Sequence, residues 1–294
     1  MAQRDIKLPK KVLVLGSTGL IGHQVYYYLK EHSNYELSNI SYRTKLEEDS
    51  ILLDIREEQN FLSIIENIRP EIIINCIGVL ISGSNNDPEN AIFINAYMPH
   101  RLASLADTIG AKLIHISTDC VFSGGKKEPY LENDMKDGTD IYAKTKGLGE
   151  IINNKHLTLR TSVVGPELKT NGEELFHWFM NQTGIINGFT ESIWSGVSTF
   201  ELARAVNWAI ENNITGLYQI TNNSSISKYA LLNLFKRHTE KDIEITAVEG
   251  RKVDKCFIDT RNELNYTIPS FDLMIEKMVE NIREKSVLYS QYKV

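Results

Sequence analysis

Through the first 165 residues the hydrophobic positions follow two alternating patterns. Short unbroken apolar runs stand at 11–15, in the stretch ending Ile40-Ser-Tyr42, and at 51–55, 71–78, 112–116 and 157–164, the last ended by Gly165-Pro166. Runs of this kind are what strands buried on both faces require. Between them apolar residues recur every third or fourth place: Val25, Tyr28 and Leu29; then Phe61, Ile64, Ile65 and Ile68 before Pro70; then 90–109, with Asn95 inside it. That spacing predicts helices. Pro99 is expected to break the helix over 90–109, and a further helix is expected to start near Thr139-Asp140. The stretch 1–11 reads as a loose polar lead-in and 82–88 as a loop.

After residue 165 the alternation becomes irregular. Helices are predicted over 173–182 (with Phe176, Trp178 and Phe179), 199–212 (capped by Ser198 or Thr199), 226–238, and from about Ser270. Strand-like pieces fall in 185–198, which includes Trp194, and at 216–220 and 255–259. The fold class expected is α/β, a Rossmann-like doubly wound parallel sheet. A smaller, discontinuous C-terminal substrate lobe covers its ligand-binding edge. The first domain is placed at 1–165 and the lobe at 166–294, with about 197–222 returning to the sheet.

Composition narrows the classes. At 294 residues, 42% hydrophobic and 24% charged, the chain reads as an ordinary soluble protein with a substantial core. A net charge of −6 argues against an extended nucleic-acid surface. Cys76, Cys120 and Cys256 are odd in number, and neither they nor the histidines show metal-ligand spacing. Reduced thiols in a cytoplasmic protein, with no metal, are the simplest reading. The first apolar run is too short for a signal peptide or membrane span.

Candidate chemistry gathers at two places. Gly16-Ser17-Thr18-Gly19-Leu20-Ile21-Gly22 follows the first strand and opens a helix. Strand, glycine turn and helix in that order bring backbone N–H groups and a helix N-terminus against a phosphate, which predicts a dinucleotide site. Arg43 and Lys45 follow the second strand and the first acid after it is Glu47, so NADPH is favoured over NADH, which is not excluded. Gly78, after the fourth strand, lets backbone approach a ligand closely. The other place is Ser117-Thr118-Asp119-Cys120-Val-Phe122, followed by Tyr142-Ala-Lys-Thr-Lys146. Ser117 and Thr118 emerge at a strand's carboxyl end, where open α/β sheets bind ligands. Tyr142 and Lys146 lie four apart on one helix face, and an ammonium near a phenol lowers a pKa that otherwise sits near ~10. With the Thr118 hydroxyl, this suits proton exchange with a carbonyl oxygen. Tyr26 and Lys30 match the same spacing but follow no strand-end hydroxyl, and read as a helix's outer face.

Taken together, these segments, with Gly149-Glu150 and Leu159-Arg-Thr-Ser162, resemble an extended short-chain dehydrogenase/reductase of the dTDP-4-dehydrorhamnose reductase family. The resemblance spans nearly the whole chain. It implies Tyr142 as proton donor, Lys146 on the nicotinamide ribose, and Thr118 as the third member of the triad. It implies Gly19, Leu20 and Ile21 on the pyrophosphate, Asp54 and Ile55 flanking the adenine, and Cys76, Ile77, Gly78 and Val79 along the cofactor. Asp119, Cys120, Val163 and Trp194 fall to the sugar side. The family usually has tyrosine at Cys120, tryptophan at Val163, and an Ala-Val-Asp run where this chain has Leu80-Ile-Ser-Gly. Those departures suggest a reshaped sugar pocket around unchanged chemistry: a 4-keto-6-deoxy nucleotide sugar, dTDP-linked or a bulkier UDP-linked N-acetylated hexosamine. Two alternatives stay open. One is a non-catalytic binding subunit, since the same fold serves as the regulatory partner of methionine adenosyltransferase. The other is an epimerase or dehydratase, less favoured because Asp119-Cys120 supplies one acid where dehydratases place more. A homodimer is usual for such enzymes, but nothing in the sequence locates an interface.

Overall fold

In the computed structural model, which describes residues 8–261 and 265–294, strands β1 (Lys11–Leu15), β2 (Glu36–Ser41), β3 (Ile51–Leu52), β4 (Ile72–Asn75), β5 (Lys112–Thr118) and β6 (Leu157–Thr161) lie parallel. Helices α1 (Gly22–His32), α2 (Glu58–Ile68), α3 (Ile81–Asn86), α4 (Pro88–Ala91), α5 (Met98–Ile109) and α6 (Ile141–Leu148) connect them. Beyond these come β7 (Val163–Val164), α7 (Leu175–Met180), β8 (Ile185–Phe189), β9 (Ser192–Trp194), β10 (Val197–Ser198), α8 (Thr199–Glu211), β11 (Gly216–Gln219), β12 (Ile226–Ser227), α9 (Lys228–Thr239), β13 (Glu244–Val248), β14 (Val253–Asp254) and α10 (Phe271–Glu284). The main sheet has the order β11-β6-β5-β4-β1-β2-β3.

Its strands are apolar throughout because successive side chains point to opposite faces and both faces are covered. Val12, Val14, Ile114 and Leu159 pack on one side against α1, α8 and α10, through Val25, Leu29, Leu202, Val206 and Met278. Leu13, Leu15, Ile73 and Leu113 pack on the other against α2 and α5, through Phe61, Ile65, Leu102 and Ala106. The strand order reverses between β1 and β4, so the loops leaving these two strands diverge and open a crevice at their carboxyl ends.

Several elements differ from expectation. The stretch 82–88 is not a loop: α3 spans Ile81–Asn86, held by Ser84 Oγ donating to Val79 O at 3.1 Å. Asp87 then caps α4 by accepting from Asn90 N, with Pro88 in the first turn. Pro99 does not end the helix: α4, a π turn and α5 follow one another directly, with Ala91, Tyr97 and Met98 all helical, so the N–H it lacks falls inside a continuous helix. The irregularity lies just ahead of it, a π-helical turn over Ile92–Tyr97 that carries Asn95. The third strand is only two residues long, and the run 157–164 splits into β6 and β7, β7 pairing with β10 away from the main sheet. The region 255–259 forms a single bridge from Phe257 to Tyr130, and β13, paired with β8, was not anticipated. Tyr26 is buried in the core, not on an outer face.

Candidate active site

The glycine turn is built from backbone that other residues would not tolerate. Gly16 has φ +76°, and its N–H and that of Ser17 donate to the Ile40 carbonyl at 2.9 and 3.1 Å. A Cβ on Gly22 would stand 2.1 Å from the Gly16 carbonyl oxygen, so only glycine lets α1 start this close to β1. Ser17 turns inward, its hydroxyl donating to Asn39 Oδ1 at 2.7 Å. Ser17 and Gly22 therefore build the turn from behind, while Thr18, Gly19, Leu20 and Ile21 line the crevice.

Opposite the turn runs the segment after β4, Cys76-Ile77-Gly78-Val79. Asn95 fixes it by accepting from Val79 N and donating to Val79 O, both at 2.9 Å, and Nδ2 also reaches Thr145 Oγ1. Asn95, carried on the π turn, thus anchors the segment that follows β4. One half of the crevice, about 440 Å³, is further lined by Tyr42, Arg43, Asp54, Ile55 and Arg56. The Arg43 guanidinium lies 5.0 Å over the Tyr42 ring. Asp54 accepts from Arg56 Nε at 2.9 and 3.0 Å, which holds its carboxyl below the usual carboxylate range. Arg56 was passed over in the sequence; a base just beyond the short third strand was the available signal.

The other half, about 450 Å³, shares Thr18, Gly19, Cys76, Ile77, Gly78 and Lys169 with the first, so the two form one continuous cleft. Ser117, Thr118, Asp119, Cys120, Tyr142, Lys146 and Val163 all line it. Asp140 caps α6 by accepting from Ala143 N at 2.8 Å, which sets Tyr142 and Lys146 one turn apart on the face toward β5. Lys146 Nζ donates to the Ile116 carbonyl at 2.7 Å, and burial brings its pKa down to about 8. The Tyr142 phenol moves the opposite way from expectation. Burial pushes its pKa up, a charge on Cys120 would add to that, and the Thr118 hydroxyl opposes it. Desolvation is the largest cause, the Lys146 hydrogen bond is spent on backbone, and Tyr142 keeps its proton at neutral pH.

Thr118 Oγ1 accepts from Cys120 N and donates to Asp119 Oδ1, both at 3.1 Å. Burial raises the Asp119 carboxyl, and it raises the Cys120 and Cys76 thiols to about 12, so neither thiol is a nucleophile at neutral pH. Trp194 does not face the cleft: its Nε1 donates to Ser162 Oγ at 3.0 Å and its ring packs on Phe271, placing it behind the wall. Glu167, Lys169, Glu173 and Glu174, none of them among the expected site residues, also line the cleft. Glu174 caps α7 by accepting from Phe176 N at 2.7 Å, and burial raises its pKa to about 8.

Behind the triad lies a buried ion pair. Arg160 Nε and Nη2 each donate to Glu150 at 2.8 Å, Ser117 Oγ donates to the same carboxylate at 2.8 Å, and Arg160 Nη1 reaches Glu132 O and Gln219 Oε1 at 3.2 Å. The pair ties the end of α6 to β5, β6 and β11. No group of three or more His, Cys, Asp or Glu among the described residues is placed to hold a metal ion, and no helix among them is long and apolar enough to cross a membrane.

The chain is 32% identical over 152 residues to methionine adenosyltransferase 2 subunit beta of Xenopus laevis, covering 51% of this chain and 45% of that protein. It is 30% identical over 161 residues to dTDP-4-dehydrorhamnose reductase of Escherichia coli, covering 52% of this chain and 51% of that one. The match thus spans about half the length of these two relatives. It is 26% identical over 243 residues to the spore coat polysaccharide biosynthesis protein SpsK of Bacillus subtilis, covering 81% and 82%. Two solved structures share the fold: a dTDP-4-dehydrorhamnose reductase from Clostridium acetobutylicum (TM-score 0.78, 24% identity, 93% of this chain and 99% of that one) and one from Bacillus anthracis in complex with NADP (TM-score 0.79, 23% identity, with the same coverage). The family model for the RmlD substrate binding domain matches residues 10–255, and the chain belongs to that family.

Proposed function

We propose that the protein is an NADPH-dependent reductase of the C4 carbonyl of a 4-keto-6-deoxy nucleotide sugar. The observation that carries this reading is the meeting of Thr118, Tyr142 and Lys146 in one cleft with the glycine turn. The residues present fit a dinucleotide: Gly16 and Gly22 let the turn close tightly against the start of α1, and Thr18, Gly19, Leu20 and Ile21 line the cleft in front of it. Gly19, Leu20 and Ile21 would hold the pyrophosphate, Asp54 and Ile55 the adenosine, and Cys76, Ile77, Gly78 and Val79 the opposite flank. Arg43 and Arg56, both lining the adenosine end, support a 2′-phosphate and hence NADPH.

Bound NADPH supplies a hydride from C4 of its nicotinamide. The protein's part is the proton. A neutral Tyr142 phenol gives its hydrogen to the oxygen that gains charge as the carbonyl is reduced. Thr118 takes the Cys120 N–H on one side of its oxygen, so its own hydrogen can turn from Asp119 to that substrate oxygen. Lys146, charged below about pH 8, would hold the ribose and stabilise the phenolate left behind. At the sugar end Cys120 and Val163 are small side chains where the resembled family carries rings, which favours a bulkier sugar such as a UDP-linked N-acetylated hexosamine.

A second reading, a non-catalytic NADP-binding regulatory subunit, is favoured by the match to methionine adenosyltransferase 2 subunit beta. NADPH oxidation over a panel of dTDP- and UDP-linked 4-keto-6-deoxy sugars separates the two. Turnover is expected, with Tyr142→Phe slower by about 10²–10⁴-fold and coenzyme affinity unchanged. No turnover across the panel with coenzyme still bound supports the regulatory reading, and a strong preference for the dTDP sugar removes the argument from pocket size.

A further inference from the structure

The chain's last residues return to the back of the glycine turn. Tyr289 is 1% exposed, and its hydroxyl meets His23 Nε2 at 2.9 Å. His23 Nδ1 in turn meets the Gly19 carbonyl oxygen at 2.7 Å. The proton positions along this chain follow from what each atom can do. A carbonyl only accepts, so Nδ1 carries the hydrogen; a neutral ring then has a bare Nε2, so Tyr289 donates to it; and the Tyr289 oxygen accepts from the Gln24 amide. Burial lowers the His23 pKa to about 4, which agrees with a neutral ring. Lys285, just upstream, pairs with Glu31 at the far end of α1, so the segment is fastened to this helix at both ends.

We propose that Tyr289 is a positioning residue for the coenzyme: by donating to the bare Nε2 of His23 it holds the imidazole in place and, through it, the Gly19 carbonyl inward. In a trans peptide the N–H opposes the C=O, so the same plane must then present the Leu20 N–H toward the cleft that Gly19 and Leu20 line. Without the phenol, Nε2 loses its donor and the ring its anchor, and the His23 backbone N–H, 3.3 Å away, becomes the firmer of the two contacts left to the Gly19 carbonyl. The inference rests on the reading that this turn takes a dinucleotide pyrophosphate.

A matched comparison is available in the same segment. Tyr292 is equally a buried phenol, but its hydroxyl accepts from Glu167 N at 2.9 Å and meets His177 Nδ1 at 2.7 Å, away from the turn. NADPH dissociation constants, read from quenching of tryptophan fluorescence, are to be compared for the full chain, Tyr289→Phe and Tyr292→Phe. Tyr289→Phe should weaken NADPH binding by about five- to tenfold and Tyr292→Phe by less than about twofold. Equal effects in both variants, or none in Tyr289→Phe, would overturn the proposal, since loss of general stability acts on both alike. On the unaltered chain, saturating NADPH should slow amide hydrogen exchange in residues 285–292 along with 19–23, by linkage. Unchanged exchange in 285–292 overturns the proposal even where a variant fails to fold. An unaltered chain that binds no NADPH brings down the functional reading as well, a result distinct from the other two.

Discussion

Tyr142 and Lys146 are four residues apart, yet burial acts on them in opposite senses. It keeps the proton on the phenol and loosens the proton on the ammonium, whose pKa falls to about 8. That division suits reduction, in which the phenol is the acid and the neighbouring cation stabilises the base it becomes. The pH dependence follows in sign. Below about pH 8 Lys146 is charged; above it the charge is lost while Tyr142 still holds its proton. The kcat/KM for carbonyl reduction should therefore be level up to about pH 8 and fall about tenfold per unit beyond it. A level profile continuing to pH 10 would show that the lysine charge is not used. These identities were legible in the sequence because Ser117-Thr118 ends a strand and Tyr142 opens a helix. The direction of the phenol's shift was not, since desolvation depends on walls brought in from β4, β7 and the 167–174 segment.

Among the elements, α6 carries two of the three reactive groups, and what fixes it is the Glu150–Arg160 pair just past its end. The side chains of both are at most 1% exposed, so removing one partner leaves a charge without solvent or counter-ion. Lys136, 3.2 Å from Glu150 but a third exposed, compensates only in part. Arg160→Met should cost about 3–5 kcal/mol in urea unfolding, and Glu150→Gln combined with it distinctly less than the sum of the two single changes. A loss below about 1 kcal/mol for Arg160→Met would mean that the pair is not what holds α6. The strands and long helices could be read from sequence because β1, β4 and β5 are continuous apolar runs and α2, α5 and α8 have clear apolar faces. Ile81–Asn86 could not, since Ser-Gly-Ser-Asn-Asn has no apolar period and is held instead by contacts to Val79 and α6. Pro99 misled for a related reason: a proline that ends a helix and one that follows a π turn inside a continuing helix look alike in sequence.

For the molecule as a whole, strand order decides where chemistry can occur. Reversal between β1 and β4 opens the crevice, the glycine turn and the Cys76–Val79 segment flank it, and β5 delivers Thr118 to its inner end. This arrangement was readable from the order of strands, turns and motifs alone. The contributors from beyond residue 165 were not, because Lys169 comes from an irregular stretch, Glu174 caps α7, and Trp194, which the resemblance placed on the sugar side, is used to back Ser162. The central claim is that hydride and proton both arrive at one sugar carbon and its oxygen within this cleft. The most direct measurement is transfer of deuterium from NADPH deuterated at nicotinamide C4 to the 4-keto-6-deoxy nucleotide sugar that is turned over, located by NMR of the product. Deuterium at sugar C4 from the unaltered protein, and almost none from Tyr142→Phe in the same time, is the expected result; coenzyme that binds but leaves every sugar unlabelled would contradict it.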